Sequence, residues 1–155
     1  MGCVGFLRFV DRSWPFLDRL MRLHVAAYRA TGGRIGQRFP GVPTMLILDH
    51  VGARTRKRRR SALVYLKDGE NLVLVASKGG HPRHPAWYHN LMAHPDVAVQ
   101  VGRDRRGVRA RTATPAERAR LWPRAVEAWP GYRTYQARTD REIPVLILEP
   151  RPVDM

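Results

Sequence analysis

The chain has 155 residues and is 44% hydrophobic, which suits one domain with a real core and excludes a disordered chain. Its formal charge is +15, from 28 Lys plus Arg against 13 Asp plus Glu, so an anionic partner or surface is expected. One cysteine, Cys3, rules out an internal disulfide framework and points to a reducing, cytoplasmic setting, and no apolar run approaches the ~18 residues of a membrane span.

Residues 6–30 read as an amphipathic helix. At about 100° per residue, Arg8, Asp11, Arg12, Asp18, Arg19, Arg22 and Arg29 fall on one arc. Phe6, Phe9, Val10, Trp14, Leu17, Leu20, Met21 and Tyr28 cover the rest. Pro15 should break or restart this helix near Trp14, because it lacks an N–H and its ring crowds the preceding turn. Three readings stay open: a helix packed on the rest of the fold, a helix lying on an anionic membrane surface, or a cap over the active site. Gly2-Cys3 resembles the start of a lipidation signal, but Phe6 stands where Ser or Thr is expected. Residues 1–40 are therefore read as helix and linker, and 41–155 as the main domain.

After Gly32-Gly33 and Gly41-Val42-Pro43 the period changes from helix to strand. Strands are expected at residues 45–49, 61–67 and 72–77, with a basic turn over 50–60 and a tight hairpin at Asp68-Gly69. Residues 85–93 suit a short helix with proline in its first turn. Val97, Val99 and Val101 alternate with Ala98 and Gln100, as do Val108, Ala110 and Thr112 with Arg109 and Arg111, around an expected basic loop at 102–107. Thr114-Pro115-Ala116-Glu117 has the spacing of a capping box, which predicts a helix to about Ala128. A further short helix over 131–139 and a closing strand over 143–149 complete an α+β barrel of about six strands.

Four segments carry possible chemistry. Residues 52–61 join two strands and hold six cations without one acid, which suits phosphates or carboxylates. A solvated hairpin or a general nucleic-acid patch has the same composition. Ala76-Ser77-Lys78-Gly79-Gly80 leaves a strand with a hydroxyl, a cation and two glycines that let backbone N–H groups approach an anion. His84-Pro85-Ala86-Trp87-Tyr88-His89-Asn90-Leu91 sets two aromatics on a short helix, where a planar ring can pack. His84, His89 and His94 stand five residues apart, share no helical face and lack a cysteine partner, so no metal is expected. Trp129-Pro130-Gly131-Tyr132-Arg133-Thr134-Tyr135 spaces aromatics to line a pocket wall or to pack a helix on the barrel.

Taken in order, these segments resemble the actinobacterial deazaflavin-dependent nitroreductases, which use reduced coenzyme F-420 to reduce quinones or nitro compounds. The resemblance covers roughly residues 40–150. It rests most on residues 75–80 followed by 84–91, supported by Leu63-Val64-Tyr65, by Pro130-Gly131-Tyr132 with Tyr135, and by Ile143-Pro144-Val145. It implies a split barrel of the flavin-reductase and pyridoxamine-oxidase type. It also implies that the polyglutamyl-phosphate tail of the coenzyme lies over Arg54, Thr55, Arg56 and Arg60. The ring is then expected near Leu63, Val64, Tyr65, Ala76 and Ser77, with Lys78, Gly79, Trp87, Tyr88 and Asn90 completing the site. Tyr65, Ser77, Trp129, Tyr132 and Tyr135 are expected to face the acceptor, a quinone with nitroaromatics reduced incidentally. Tyr65 or Ser77 is expected to hydrogen-bond that acceptor or deliver a proton. The chain departs from the family pattern at Arg56, where a glycine is usual, and at Ala62, where a proline is usual. A flavin mononucleotide enzyme on the same barrel is the principal alternative, and a basic nucleic-acid module the lesser one.

Overall fold

The computed structural model describes the backbone of residues 2–152 and side chains from Phe16 onward, so Cys3 and the Phe6, Phe9, Val10 and Trp14 face lie outside the described side chains. In chain order the elements are α1 (Gly2–Thr31), β1 (Met45–Val51), β2 (Arg58–Val64), β3 (Leu66–Asp68), β4 (Asn71–Val75), a single 3-10 turn (Lys78–Gly80), α2 (Ala86–Ala93), β5 (Asp96–Val101), β6 (Asp104–Thr112), α3 (Pro115–Ala128), α4 (Gly131–Ala137) and β7 (Val145–Pro150).

The strands form one antiparallel sheet in the order β2-β1-β5-β6-β7-β4-β3. Its two edge strands, β2 and β3, are separated in the chain by Tyr65 alone. A flat sheet would hold those edges six strands apart. The sheet therefore curls on itself into the expected split barrel, and Tyr65 sits at its seam. Strand alternation sends Leu46, Leu48, Leu72, Leu74, Val97, Val99, Val108, Ala110, Leu146 and Leu148 into one interior cluster. The outer face of β1 and β2 is covered by α1, through Val25 and Tyr28 against Ile47 and Ala62. The outer face of β4 and β7 is covered by α3 and α4, through Leu121, Ala125, Val126 and Tyr132.

Tyr28 is the deepest anchor of α1. It is fully buried, its hydroxyl donates to Met45 O at 3.1 Å, and it accepts from Gly102 N at 2.8 Å. Burial raises its pKa, so it stays a neutral donor.

Three expectations are corrected. The helix runs unbroken from Gly2–Thr31 through Pro15; a proline removes one ladder bond and bends a helix, but flanking turns sustain it. The basic residues 104–107 are strand, not loop, because Val101 pairs with Asp104 and leaves only Gly102 and Arg103 in the turn. The expected strand over 61–67 begins earlier, at Arg58, and divides at the seam, which makes seven strands among the described residues. The capping box is as read: Glu117 N–H donates to Thr114 Oγ1 and the Glu117 carboxylate accepts from Thr114 N–H.

Candidate active site

The basic turn joins β1 to β2 over residues 52–57. It closes through Arg56 N–H to Gly52 O and Gly52 N–H to Lys57 O, both at 2.9 Å. Thr55 folds back over Gly52, and its hydroxyl accepts from Lys57 N–H at 3.3 Å. Arg56 adopts φ +54°, a left-handed conformation that a side chain adopts only at a cost of about 1–2 kcal/mol. This is the position where the resembled family has glycine, so the departure lies on a geometrically demanding residue. Among the described residues, the exposed cations Arg54, Arg56, Lys57, Arg58 and Arg59 have no carboxylate partner.

The turn is fastened to α2 by a buried polar network. Asn90, 8% exposed, accepts from Ala53 N–H at 2.8 Å and places its amide nitrogen 2.9 Å from His50 Nδ1. His50 Nε2 lies 3.0 Å from Ser61 Oγ. An amide N–H can only donate, so His50 Nδ1 is the acceptor and Nε2 carries the proton toward Ser61. Burial lowers the His50 pKa to about 4, with Asp49 opposing and Arg59 reinforcing that shift, so the ring is neutral near pH 7.

The second segment leaves β4 at Ala76. Lys78 has φ +45° and Gly79 φ +63°. A Cβ on Gly79 would meet nothing within 4 Å, so a ligand can approach its backbone from that side. Gly80 is closed instead: a Cβ there would stand 2.5 Å from Tyr135 O, so its lack of a side chain lets the loop lie against α4. Ser77 makes no capping hydrogen bond with its side chain.

The structure brings the expected residues together in two neighbouring clusters. Leu63, Tyr65, Ala76, Trp87 and Tyr88 belong to the barrel interior. Trp129, Tyr132 and Tyr135 pack with Val75 on the outer side of β4. The two sets meet where Val75 and Ala76 point to opposite sides. Tyr65 is 9% exposed, and burial raises its pKa against the smaller opposing effects of Arg106 and Arg38. Tyr132, 6% exposed, lies between Trp122 and Tyr135, and burial raises its pKa as well. Both phenols are therefore protonated at neutral pH.

Strand alternation separates other members. Leu63 shares its face with Ser61 and Arg59, whereas Val64 and Arg60 lie on the opposite side, with Arg60 Nε held by Asp49 at 2.8 Å. Composition does not reveal facing, so Arg59 emerges as a candidate only from the strand register. Also absent from the sequence reading were His50 and Arg141, whose partners lie far away in the chain. A hollow of about 250 Å³ lined by Arg118, Trp122, Gln136, Asp140 and Glu142 lies on the α3–α4 side. Its Arg118 already stacks on Trp122 and pairs with Glu142, so it offers no spare cation.

An anionic coenzyme with a planar ring needs unpaired cations, backbone open to close approach, and aromatic walls. The turn, Gly79, and the half-buried Trp87 and Tyr88 meet these needs. A split barrel so equipped is the architecture of a coenzyme-binding oxidoreductase. The chain belongs to the F420H(2)-dependent quinone reductase family, whose model matches residues 20–150. It is 49% identical over 136 residues to an F420H(2)-dependent quinone reductase of Mycobacterium tuberculosis, covering 86% of this chain and 91% of that protein. Among solved structures, an F420-H2 dependent reductase matches with a TM-score of 0.63 and 42% identity over 68% of this chain and 93% of the other. A domain-swapped dimer matches with a TM-score of 0.67 and 35% identity over 90% of this chain and 98% of the other.

Proposed function

We propose that the surface running along α2, from the 52–57 turn to the 77–80 loop, holds reduced coenzyme F-420, and that a quinone is reduced beside Tyr65 and Ser77. The observation that carries this reading is backbone strain in two cationic places. Among the described residues, Arg56 and Lys78 are the non-glycine positions with positive φ. Each lies in a segment assigned to the coenzyme, and such strain gathers where function over-determines the backbone.

When bound, the reduced deazaflavin supplies a hydride; the polypeptide supplies binding, orientation and protons. Arg54, Arg56 and Arg59 meet the tail, and the Thr55 hydroxyl can add a hydrogen bond. Trp87, Tyr88, Leu63, Ala76 and Gly79 would hold the ring, the aromatics and aliphatic groups by packing and Gly79 through its open backbone. Tyr65, kept protonated by burial, donates a hydrogen bond to the acceptor oxygen, with Ser77 as a second donor. Trp129, Tyr132 and Tyr135 shape the acceptor's wall. Asn90 acts by holding the turn rather than by touching the coenzyme.

No described helix is long and apolar enough to cross a membrane. The described part of α1 nevertheless exposes Phe16, Leu17, Leu20, Met21 and Leu23 beside Arg19 and Arg22. This favours a cytoplasmic enzyme resting on an anionic leaflet, where lipid quinones reside. Nitroaromatics are secondary acceptors in this reading.

Anaerobic mixing of the protein with reduced coenzyme and menadione tests the proposal. Oxidation of the coenzyme well above the protein-free rate is expected; a rate equal to it contradicts the reading. Parallel titration with flavin mononucleotide decides the rival, and tighter binding of the flavin would displace the deazaflavin.

A further inference from the structure

We propose that Arg141 is the positioning residue of the active site: its guanidinium locks the loop that leaves β4 to the strap that enters α2, and its backbone carbonyl ties both to α4. The proposal rests on the coenzyme reading above. Arg141 Nε donates to His81 O at 2.8 Å, Nη2 to Ser77 O at 2.8 Å, and both Nη atoms to Ala76 O at 3.3 Å. Nη1 also lies 3.1 Å from His84 Nδ1. The acceptors thus span the loop that leaves β4 and the strap that enters α2.

Arg141 is itself held by the third segment. Its carbonyl accepts from Gln136 Nε2 at 2.8 Å, and Gln136 follows Tyr135 on α4. The Gln136 side-chain Oε1 accepts from Ile143 N–H at 2.9 Å, so the residue two positions before β7 is fixed as well. His84 carries the lock onward, because its ring lies 4.5 Å from the Tyr88 ring. The Arg141 side chain therefore ties Ser77 to the strap leading to Tyr88, and its backbone carbonyl anchors that tie to the helix bearing Tyr135.

Loop carbonyls that point inward need donors, and neutral donors from three separate segments would have to be ordered separately. A planar guanidinium presents five N–H groups in a rigid fork and meets several acceptors in one plane. Lysine has the charge but not the fork. The strained Lys78 follows Ser77 directly, and Ser77 O also accepts from Gly80 N–H at 2.9 Å, so loss of Arg141 would leave that one bond to hold the positive-φ turn and the open face of Gly79. Arg141 touches neither coenzyme nor acceptor in this account; it acts through Ser77, His84 and Tyr88.

The test compares Arg141→Lys and Arg141→Ala with the wild-type chain. Equilibrium binding of oxidised coenzyme, read by its fluorescence, is expected to weaken at least tenfold in both. Amide exchange at Gly80 and His81 is expected to quicken at least tenfold, with β1 and β5 unchanged. Millimolar methylguanidinium is expected to restore affinity to Arg141→Ala without altering wild-type binding. Lysine affinity within twofold of wild type overturns the proposal, as does faster exchange without weaker binding. Loss of folding in Arg141→Ala shifts the decision to Arg141→Lys, and a collapse of β1 and β5 protection in both overturns a local role. If the wild-type chain binds no coenzyme, the proposed function fails, and the exchange measurement still decides whether Arg141 is the lock.

Discussion

The barrel wall and the β1–β2 turn use the same residue type in opposite circumstances. On the wall and the α3 helix that covers it, Asp49 holds Arg60 and Arg105, Asp96 holds Arg109 and Arg151, and Asp68 holds Arg120 and Arg124. Two guanidiniums on Asp68 keep its carboxyl down at about 2. In the turn and the first two residues of β2, five cations stand together with no acid among them, on a backbone strained at Arg56. Like charges gathered without counter-charge repel one another, so they lower stability unless an anion arrives. The wall's arginines are structural in the weak sense of exposed ion pairs. The turn's arginines make sense as ligands. Net charge alone does not separate the two groups; the placement of 13 acids does.

The largest effect that sharpens this contrast is expected on binding. Replacing Arg54, Arg56 and Arg59 together by Gln should weaken coenzyme binding about 100-fold, or roughly 3 kcal/mol. The melting temperature should stay level or rise, since like-charge repulsion is relieved. Titration calorimetry together with a thermal melt checks both, and a lower melting temperature with unchanged affinity would break the contrast.

The next effect concerns how the turn is mounted. His50 titrates near 4 in the fold and near 6.5 when unfolded. As pH falls, the unfolded chain takes up the proton first. Stability is therefore full above pH 6.5 and declines between 6.5 and 4, by at most about 3 kcal/mol. Urea denaturation across that range checks it, and His50→Gln should flatten the slope.

On the wall side, Tyr28→Phe removes the donor to Met45 O and the acceptor for Gly102 N–H. A cost of about 1–3 kcal/mol in stability is expected, with coenzyme affinity unchanged. Smallest of all, Arg109→Gln breaks an exposed pair with Asp96 and should change stability by less than about 1 kcal/mol. Chemical denaturation of the two variants side by side ranks them.

Much of the fold could be read in the chain because its signals are local. The Thr114/Glu117 capping box spans four residues, and Asp68-Gly69 marks a hairpin by its own backbone needs. Pro15 misled because a local penalty was outweighed by a long helix. Residues 104–107 misled because arginine-rich composition looks like loop, while strand pairing depends on the backbone. At the site, segments were legible but facing was not: Arg59 and Arg60 are neighbours on opposite faces. His50 and Asn90 lie 40 residues apart, and Arg141 meets Ser77 across 64, so no local pattern announces either link.

The role of the turn's cations is tested most directly by comparing the intact coenzyme with the same deazaflavin ring stripped of its phosphate and glutamates. The stripped ring is expected to bind the wild-type chain at least tenfold more weakly, and the gap to close in the Arg54, Arg56 and Arg59 triple Gln variant. Equal affinity of the two ligands for the wild-type chain would contradict that role.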